Sequence, residues 1–402
     1  MHSRSGTVVA GSAFIAFAAC SGAPEINLSP NNGPLLVRPH STEAVLYSFK
    51  ADHVDGKYSL AGVISVHGKL YGTTYTGGAN GYGAVFEVTS AGAERVLHSF
   101  GRGHDGRTSY AGLTNANGTL YGTTYGGGAY GQGTVFAMDT AGVEKVLYSF
   151  AGTDGSAPHA GLTDVNGTLY GTTYGGGANG YGTVFSITTS GAEKVLYSFA
   201  GGSDGTYPYA GLVNVLGTLY GTTQKGGTRC TKYGGCGTVF KVTTDGTEAV
   251  LHSFGSGHDG AQPYAGLVDV NGTLYGTTYY GGATGFGTVY KVTTAGAERV
   301  LHSFGSGSID GVYPSAGLTN VHGMLYGTTD YGGSTACGNA GGCGTLFRIT
   351  TAGVETVLYS FAGGSDGNTP AASLTDVSGT LYGTTYKGGA HNRGTVYSLS
   401  GF

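Results

Sequence analysis

Tryptophan is missing from all 402 residues, and methionine (3) and proline (9) are scarce. Charged side chains make up only 10% of the chain, and the net charge is −4. No basic block exists that could track a phosphate backbone, so nucleic acid is not an expected partner. No Ser-His-Asp order, His-Glu-x-x-His string or singular pair of carboxylates stands apart from the background, so no catalytic constellation announces itself. Glycine is abundant instead, with 81 residues, alongside 30 tyrosines and 16 phenylalanines. The glycine follows no Gly-X-Y period, which excludes collagen, and apolar segments recur too regularly for a disordered chain.

Those segments belong to a long repeat. Leu-Tyr-Gly-Thr-Thr begins at Leu70, Leu120, Leu169, Leu219, Leu274, Leu325 and Leu381, spaced 49 to 56 residues apart. A period of this size marks a solenoid or a propeller. In the fifth copy, Ala265–Val270 alternates and ends at Asn271-Gly272, a tight hairpin signal. Thr273–Thr278, Thr288–Thr294 and Glu298–Phe304 read as three further strands. Four antiparallel strands per repeat describe a propeller blade. The glycine inside the second strand (Gly72, Gly122, Gly171, Gly221, Gly276, Gly327, Gly383) weakens a strand unless something comes close, and a neighbouring backbone is expected there. Phe49, Phe100, Phe150, Phe199, Phe254, Phe304 and Phe361 end the fourth strands and are expected to fill the space between blades.

The ends of the array are complementary. It opens with Glu43–Phe49, a fourth strand without its first three, and closes with Gly394–Leu399, a third strand without its fourth. The expected fold is therefore all-β, a seven-bladed propeller over 43–402 closed by strand 43–49 joining the last blade.

Residues 1–20 read as an export signal with a short apolar core, Val8 to Ala19, too short to span a bilayer. It ends Phe17-Ala18-Ala19-Cys20-Ser21, which resembles a bacterial lipobox with Phe where Leu is usual; simple cleavage after Ala19 or Ala23 is the alternative. Lipidation would fall on Cys20, followed by a flexible linker, 21–42, containing Pro24, Pro30, Pro34 and Pro39. Cys230 with Cys236, and Cys337 with Cys343, flank Gly-rich insertions at one repeat position. Local disulfides suit an exported chain. A four-Cys zinc site is disfavoured, because a whole repeat separates the two pairs.

The string Leu-Tyr-Gly-Thr-Thr, Gly-Gly, Gly-Thr-Val-Phe, Glu-x-Val-Leu-Tyr-Ser-Phe, Asp-Gly-x-x-Pro-x-Ala-Gly-Leu resembles the GloVer tandem repeat of bacterial extracellular, choice-of-anchor proteins, over residues 43 to 402. It is also similar to the kelch propeller, with Phe in place of the kelch Trp. The resemblance implies a secreted or surface-displayed propeller and carries no catalytic residues to transfer.

The loops from strand two to three and from strand four to the next strand one share a face, and these are the long, variable ones. Sites concentrate on loops held by a rigid scaffold. That face carries Tyr75, Tyr125, Tyr174, Gln224, Tyr279, Asp330 and Tyr386 just after the second strands. Tyr110, His159, Tyr209 and Tyr264 precede the first strands. Tyr offers an apolar face and a hydroxyl, which suits a sugar or a peptide; simple packing of the channel rim is the alternative. The non-repeated polar set is Gln224, Lys225, Lys232, Asp330, Lys387, His391 and Arg393. Asp55, Asp105, Asp154, Asp204, Asp259, Asp310 and Asp366 recur once per blade and read as turn residues bonding their own backbone rather than a cation ring. His98, His252 and His302 read as repeat variants of Tyr.

No metal or cofactor is expected. The expected function is a monomeric, non-catalytic binding module at the bacterial surface, lipid-anchored in the outer membrane, for a glycan or a partner protein. A lyase or glycosidase, and a purely structural adhesion repeat, are the alternatives.

Overall fold

Each letter of Leu-Tyr-Gly-Thr-Thr has its own job in the second strand of a blade. In the third copy, Leu169 is fully buried and Tyr170 nearly so. Gly171 pairs with Phe185 of the third strand, and a Cβ added there would stand 2.6 Å from the Phe185 ring. The close neighbour is thus an aromatic ring of the same blade, where the sequence suggested a backbone. An aromatic ring from the paired strand fills the gap that a strand glycine's missing side chain leaves. Thr172 donates from Oγ1 to the Ala210 carbonyl of the next blade at 2.9 Å, and the Thr173 and Thr183 hydroxyls bond at 2.8 Å within the blade. One threonine therefore stitches blades together and the other closes its own blade.

The computed structural model describes residues 41–230, 235–255, 258–333, 337 and 341–402. The expected signal, Cys20 and nearly all of the expected linker lie outside them, as does Lys232. Seven four-stranded antiparallel sheets follow in chain order, the fifth comprising Val268–Val270, Thr273–Thr278, Thr288–Thr293 and Glu298–Ser303. The first strand is shorter than the alternating pattern suggests, because Ala265 and Gly266 line the channel and Leu267 packs into the core, outside the paired strand. At each hairpin an Asn-Gly or equivalent adopts left-handed backbone; Asn166 has φ 54° and Gly167 φ 82°.

Closure is as the two incomplete ends require. Thr42–Ser48 pairs antiparallel with Thr395–Ser400, so the seventh sheet runs from the start of the domain into its last three strands. The interblade threonine bond also crosses this seam, from Thr384 Oγ1 to the Ala61 carbonyl at 3.0 Å. The core sits between blades rather than within them. Phe49, Phe100, Phe150, Phe199, Phe254, Phe304 and Phe361 are all fully buried. Each packs edge-on against the third-strand ring of the following blade, as Phe150 does on Phe185 with centroids 5.1 Å apart. The two local disulfides, Cys230–Cys236 and Cys337–Cys343, are formed.

Candidate functional site

The rim of the channel is built by one backbone device used seven times. Tyr58, Thr108, Ala157, Tyr207, Gln262, Tyr313 and Thr369, three residues before the Ala-Gly of each blade (Ala-Ser in the seventh), all have left-handed φ between 53° and 60°. Such a conformation is costly for a residue with a Cβ and persists only where the surroundings hold it. Here the N–H donates to the preceding blade, as Tyr207 N does to the Tyr181 carbonyl at 2.9 Å. The carbonyl accepts from the residue that follows the second strand, as Tyr207 O does from Gln224 N at 3.0 Å. The rim positions picked out from the sequence are therefore fixed by main chain, whatever their side chain.

Inside this rim is a cavity of about 720 Å³ whose wall is the repeated Ala-Gly of six blades and Ala372-Ser373 of the seventh. Its mouth is asymmetric. Tyr110, His159, Tyr209 and Tyr264 occupy the inner position in four consecutive blades, and Ser315, Ala371 and Leu60 occupy it in the other three. The four rings are contiguous: Tyr110 to His159 is 4.3 Å between centroids, His159 to Tyr209 is 4.4 Å, and Tyr209 to Tyr264 is 5.2 Å. Tyr279 extends the arc from Tyr264 at 5.1 Å. Behind it, Tyr75, Tyr125 and Tyr174 buttress the inner rings, at 4.9 Å from Tyr110, 5.0 Å from His159 and 5.2 Å from His159. Gln224 is buried and accepts from the Tyr174 hydroxyl at 3.4 Å.

The polar end of the mouth is Asp330. It is buried and accepts from Ser315 Oγ at 2.5 Å. Burial pushes its carboxyl up to about 7, against the smaller lowering by the Ser315 hydrogen bond. Burial also pushes His159 down to about 4, so its ring is neutral at physiological pH and its Nδ1 has no partner. No Lys, Arg or Glu is among the residues that line the cavity.

Of the sequence candidates, Tyr209, Tyr264, Tyr279 and Asp330 line the cavity, and Tyr75, Tyr125, Tyr174 and Gln224 form the supporting row. Tyr386 is not among the lining residues and packs on Tyr58 at 5.1 Å. His391 is exposed and is not among the lining residues. Lys225 and Lys387 lie over Tyr207 and Tyr386, and Arg393 over Tyr58, so these cations serve the loops. Ser315 and Tyr280 also line the mouth and were not singled out from sequence. Position alone marks Ser315, since it stands where four blades carry an aromatic ring.

The repeated aspartates do close their own turns: Asp204 Oδ2 accepts from Ala200 N at 2.5 Å and Asp366 Oδ2 from Ala362 N at 2.6 Å. They also do something the sequence did not reveal. Each faces the residue before Ser-Phe in its own fourth strand and the glutamate that begins the next blade's fourth strand. Tyr148 donates to Asp154 at 2.5 Å beside Glu193, and Tyr359 donates to Asp366 at 3.1 Å beside Glu43. At three junctions the Tyr is replaced by His98, His252 or His302.

Comparison with known proteins bears on the fold. The model of the Gloeobacter/Verrucomicrobia repeat matches residues 35–234 and again 230–401. No curated protein matches. Among solved structures the chain is similar to PorZ, a surface component of the type-IX secretion system of Porphyromonas gingivalis, at 15% identity and TM-score 0.53, covering 87% of this chain and 47% of that one. It is similar to a puromycin hydrolase S511A mutant at 14% identity and TM-score 0.51, covering 81% and 49%. It resembles the gluconolactonase XC5397 of Xanthomonas campestris at 14% identity and TM-score 0.41, covering 70% and 82%. At these identities the likeness is one of fold.

Proposed function

The chain belongs to the Gloeobacter/Verrucomicrobia repeat family, and on that premise we propose that it is an extracellular binding module whose channel mouth takes an uncharged saccharide. The family and two disulfides support the extracellular setting. The observation that carries the ligand is the unbroken arc Tyr110, His159, Tyr209, Tyr264, Tyr279 around a cavity of about 720 Å³. That volume lies within the usual range for a small-molecule site, roughly 300–1,000 Å³. Half-buried rings present an apolar face to the flat side of a sugar while their hydroxyls reach its edge. Among the described residues the lining has no cation to neutralise a uronate or phosphate, and its carboxyl and imidazole are both shifted toward their neutral forms.

A glycan array followed by calorimetry tests this. Neutral oligosaccharides should bind, and Tyr209→Ala and Tyr264→Ala should each weaken binding about tenfold, because a well-placed ring contributes roughly 0.5–1.5 kcal/mol beyond its buried area. Binding that prefers acidic glycans, or survives both substitutions, would overturn the reading.

A second reading, hydrolysis or elimination on a polysaccharide, rests on Asp330 alone. A buried carboxyl poised near neutrality in a cavity is the form a general acid or base takes. Among the described residues it is the only carboxylate lining the cavity, whereas most glycosidases need two. If the site is catalytic, Asp330→Asn lowers turnover by about 10²–10⁴-fold while ligand binding persists; turnover unchanged in that variant eliminates the role.

A further inference from the structure

The junction between the fifth and sixth blades differs from the others in what it leaves unsatisfied. His302 and Asp310 come from the fourth strand of the fifth blade and the loop that follows it, and Glu355 opens the fourth strand of the sixth. One donor atom from each lies within 4.8 Å of the other two. Asp310 is 8% exposed. Its Oδ2 accepts from Ser306 N at 3.0 Å and Ser306 Oγ at 3.1 Å, which fixes the carboxylate and leaves Oδ1 without a partner. Glu355 Oε1 is also buried and unpartnered. So is His302 Nε2, which stands 3.4 Å from Asp310 Oδ2 but outside hydrogen-bonding alignment. A buried polar atom that nothing meets is costly, and this one junction holds three of them.

We propose that His302, Asp310 and Glu355 bind a divalent transition-metal cation, with Zn2+ as the probe, across this junction. An imidazole nitrogen and two carboxylate oxygens are a donor set that zinc accepts, with water in the fourth position. Tetrahedral bonds of about 2 Å place donors roughly 3.3 Å apart, so small side-chain rotations close the cage. The cation satisfies all three orphaned atoms at once and ties two blades together. The junction at His98 supplies the contrast. There Nε2 meets Asp105 Oδ2 at 2.9 Å, and Asp105 Oδ1 accepts from Gly106 N at 2.6 Å, so only Glu144 Oε1 is left over. The rival account has Glu355 holding a proton beside Asp310, with His302 standing in for Tyr and no cation involved.

Equilibrium dialysis of the full chain, stripped with chelator and exposed to Zn2+, decides between them. The repeat itself supplies the variant, because Tyr occupies the position of His302 in four other blades. Wild type should retain one equivalent of zinc that His302→Tyr lacks, and zinc should raise the unfolding midpoint of the wild type but not of that variant. His98→Tyr should keep the equivalent. Glu355→Gln, which removes the donor from the other blade, should lose it as well and covers the case in which His302→Tyr folds poorly. A wild-type chain that takes up no zinc, or a His302→Tyr chain that takes up as much, overturns the proposal and leaves a protonated Glu355 as the account of the cluster.

Discussion

Gly171 is a glycine because of Phe185, not because of any turn. Its side-chain space is filled by the ring of the opposite strand, with the nearest carbon 2.6 Å from where a Cβ would sit. Gly171→Ala should therefore destabilise the domain by about 1–3 kcal/mol through overpacking, read as a lower urea midpoint at unchanged slope. Combining it with Phe185→Leu should recover part of the loss; if the double variant is no better than the single one, a steric cause is wrong. The sequence marked this position through its recurrence in every copy. It could not say what crowds it, since the register that sets Gly171 opposite Phe185 appears only when the strands pair.

At the scale of the strand, the N-terminal segment is the most consequential. Thr42–Ser48 is the outer strand of the seventh sheet and supplies Phe49 to the first junction. Glu43 likewise completes the Tyr359 and Asp366 group across the sixth junction. Deleting residues 42–49 leaves Thr395–Ser400 as an open edge, a template for pairing with another chain. The shortened protein should elute as oligomers or aggregate on size-exclusion chromatography and lose its single cooperative unfolding transition. A monomeric, cooperatively folding product would mean that closure contributes little.

At the scale of the whole ring, the blade junctions make stability depend on pH. Glu43, Glu94, Glu193 and Glu248 are each held at about 7, first by burial and then by the carboxylates of Asp366, Asp55, Asp154 and Asp204. Each is raised above its unfolded value of 4.5, so the folded state holds protons that the unfolded chain releases. The contribution is complete below the unfolded carboxylate range and is lost as pH rises through about 7. Asp330 acts in the same direction. The unfolding midpoint should accordingly be higher at pH 5 than at pH 8; a flat or rising profile would contradict glutamates that hold their protons at the junctions. The repeat multiplies one local arrangement around the ring, so a modest effect at each junction accumulates.

Blade number, strand order and ring closure were all legible in the sequence, because a repeat cannot bury its own apolar face and its two incomplete ends complement each other. The paired cysteines and the tyrosine-bearing rim could be read the same way, since both occupy fixed positions in the period. What remained hidden are contacts between residues that the repeat places far apart. The glutamates that open the fourth strands gave no sign of meeting the aspartates of the preceding loop. Nor did sequence show that Tyr209, Tyr264 and Tyr279 line the cavity while Tyr386 does not and packs on Tyr58. Period sets each residue's place within a blade. Only closing the ring decides which residue of the next blade it faces, and both the candidate site and the proposed metal position depend on that second step.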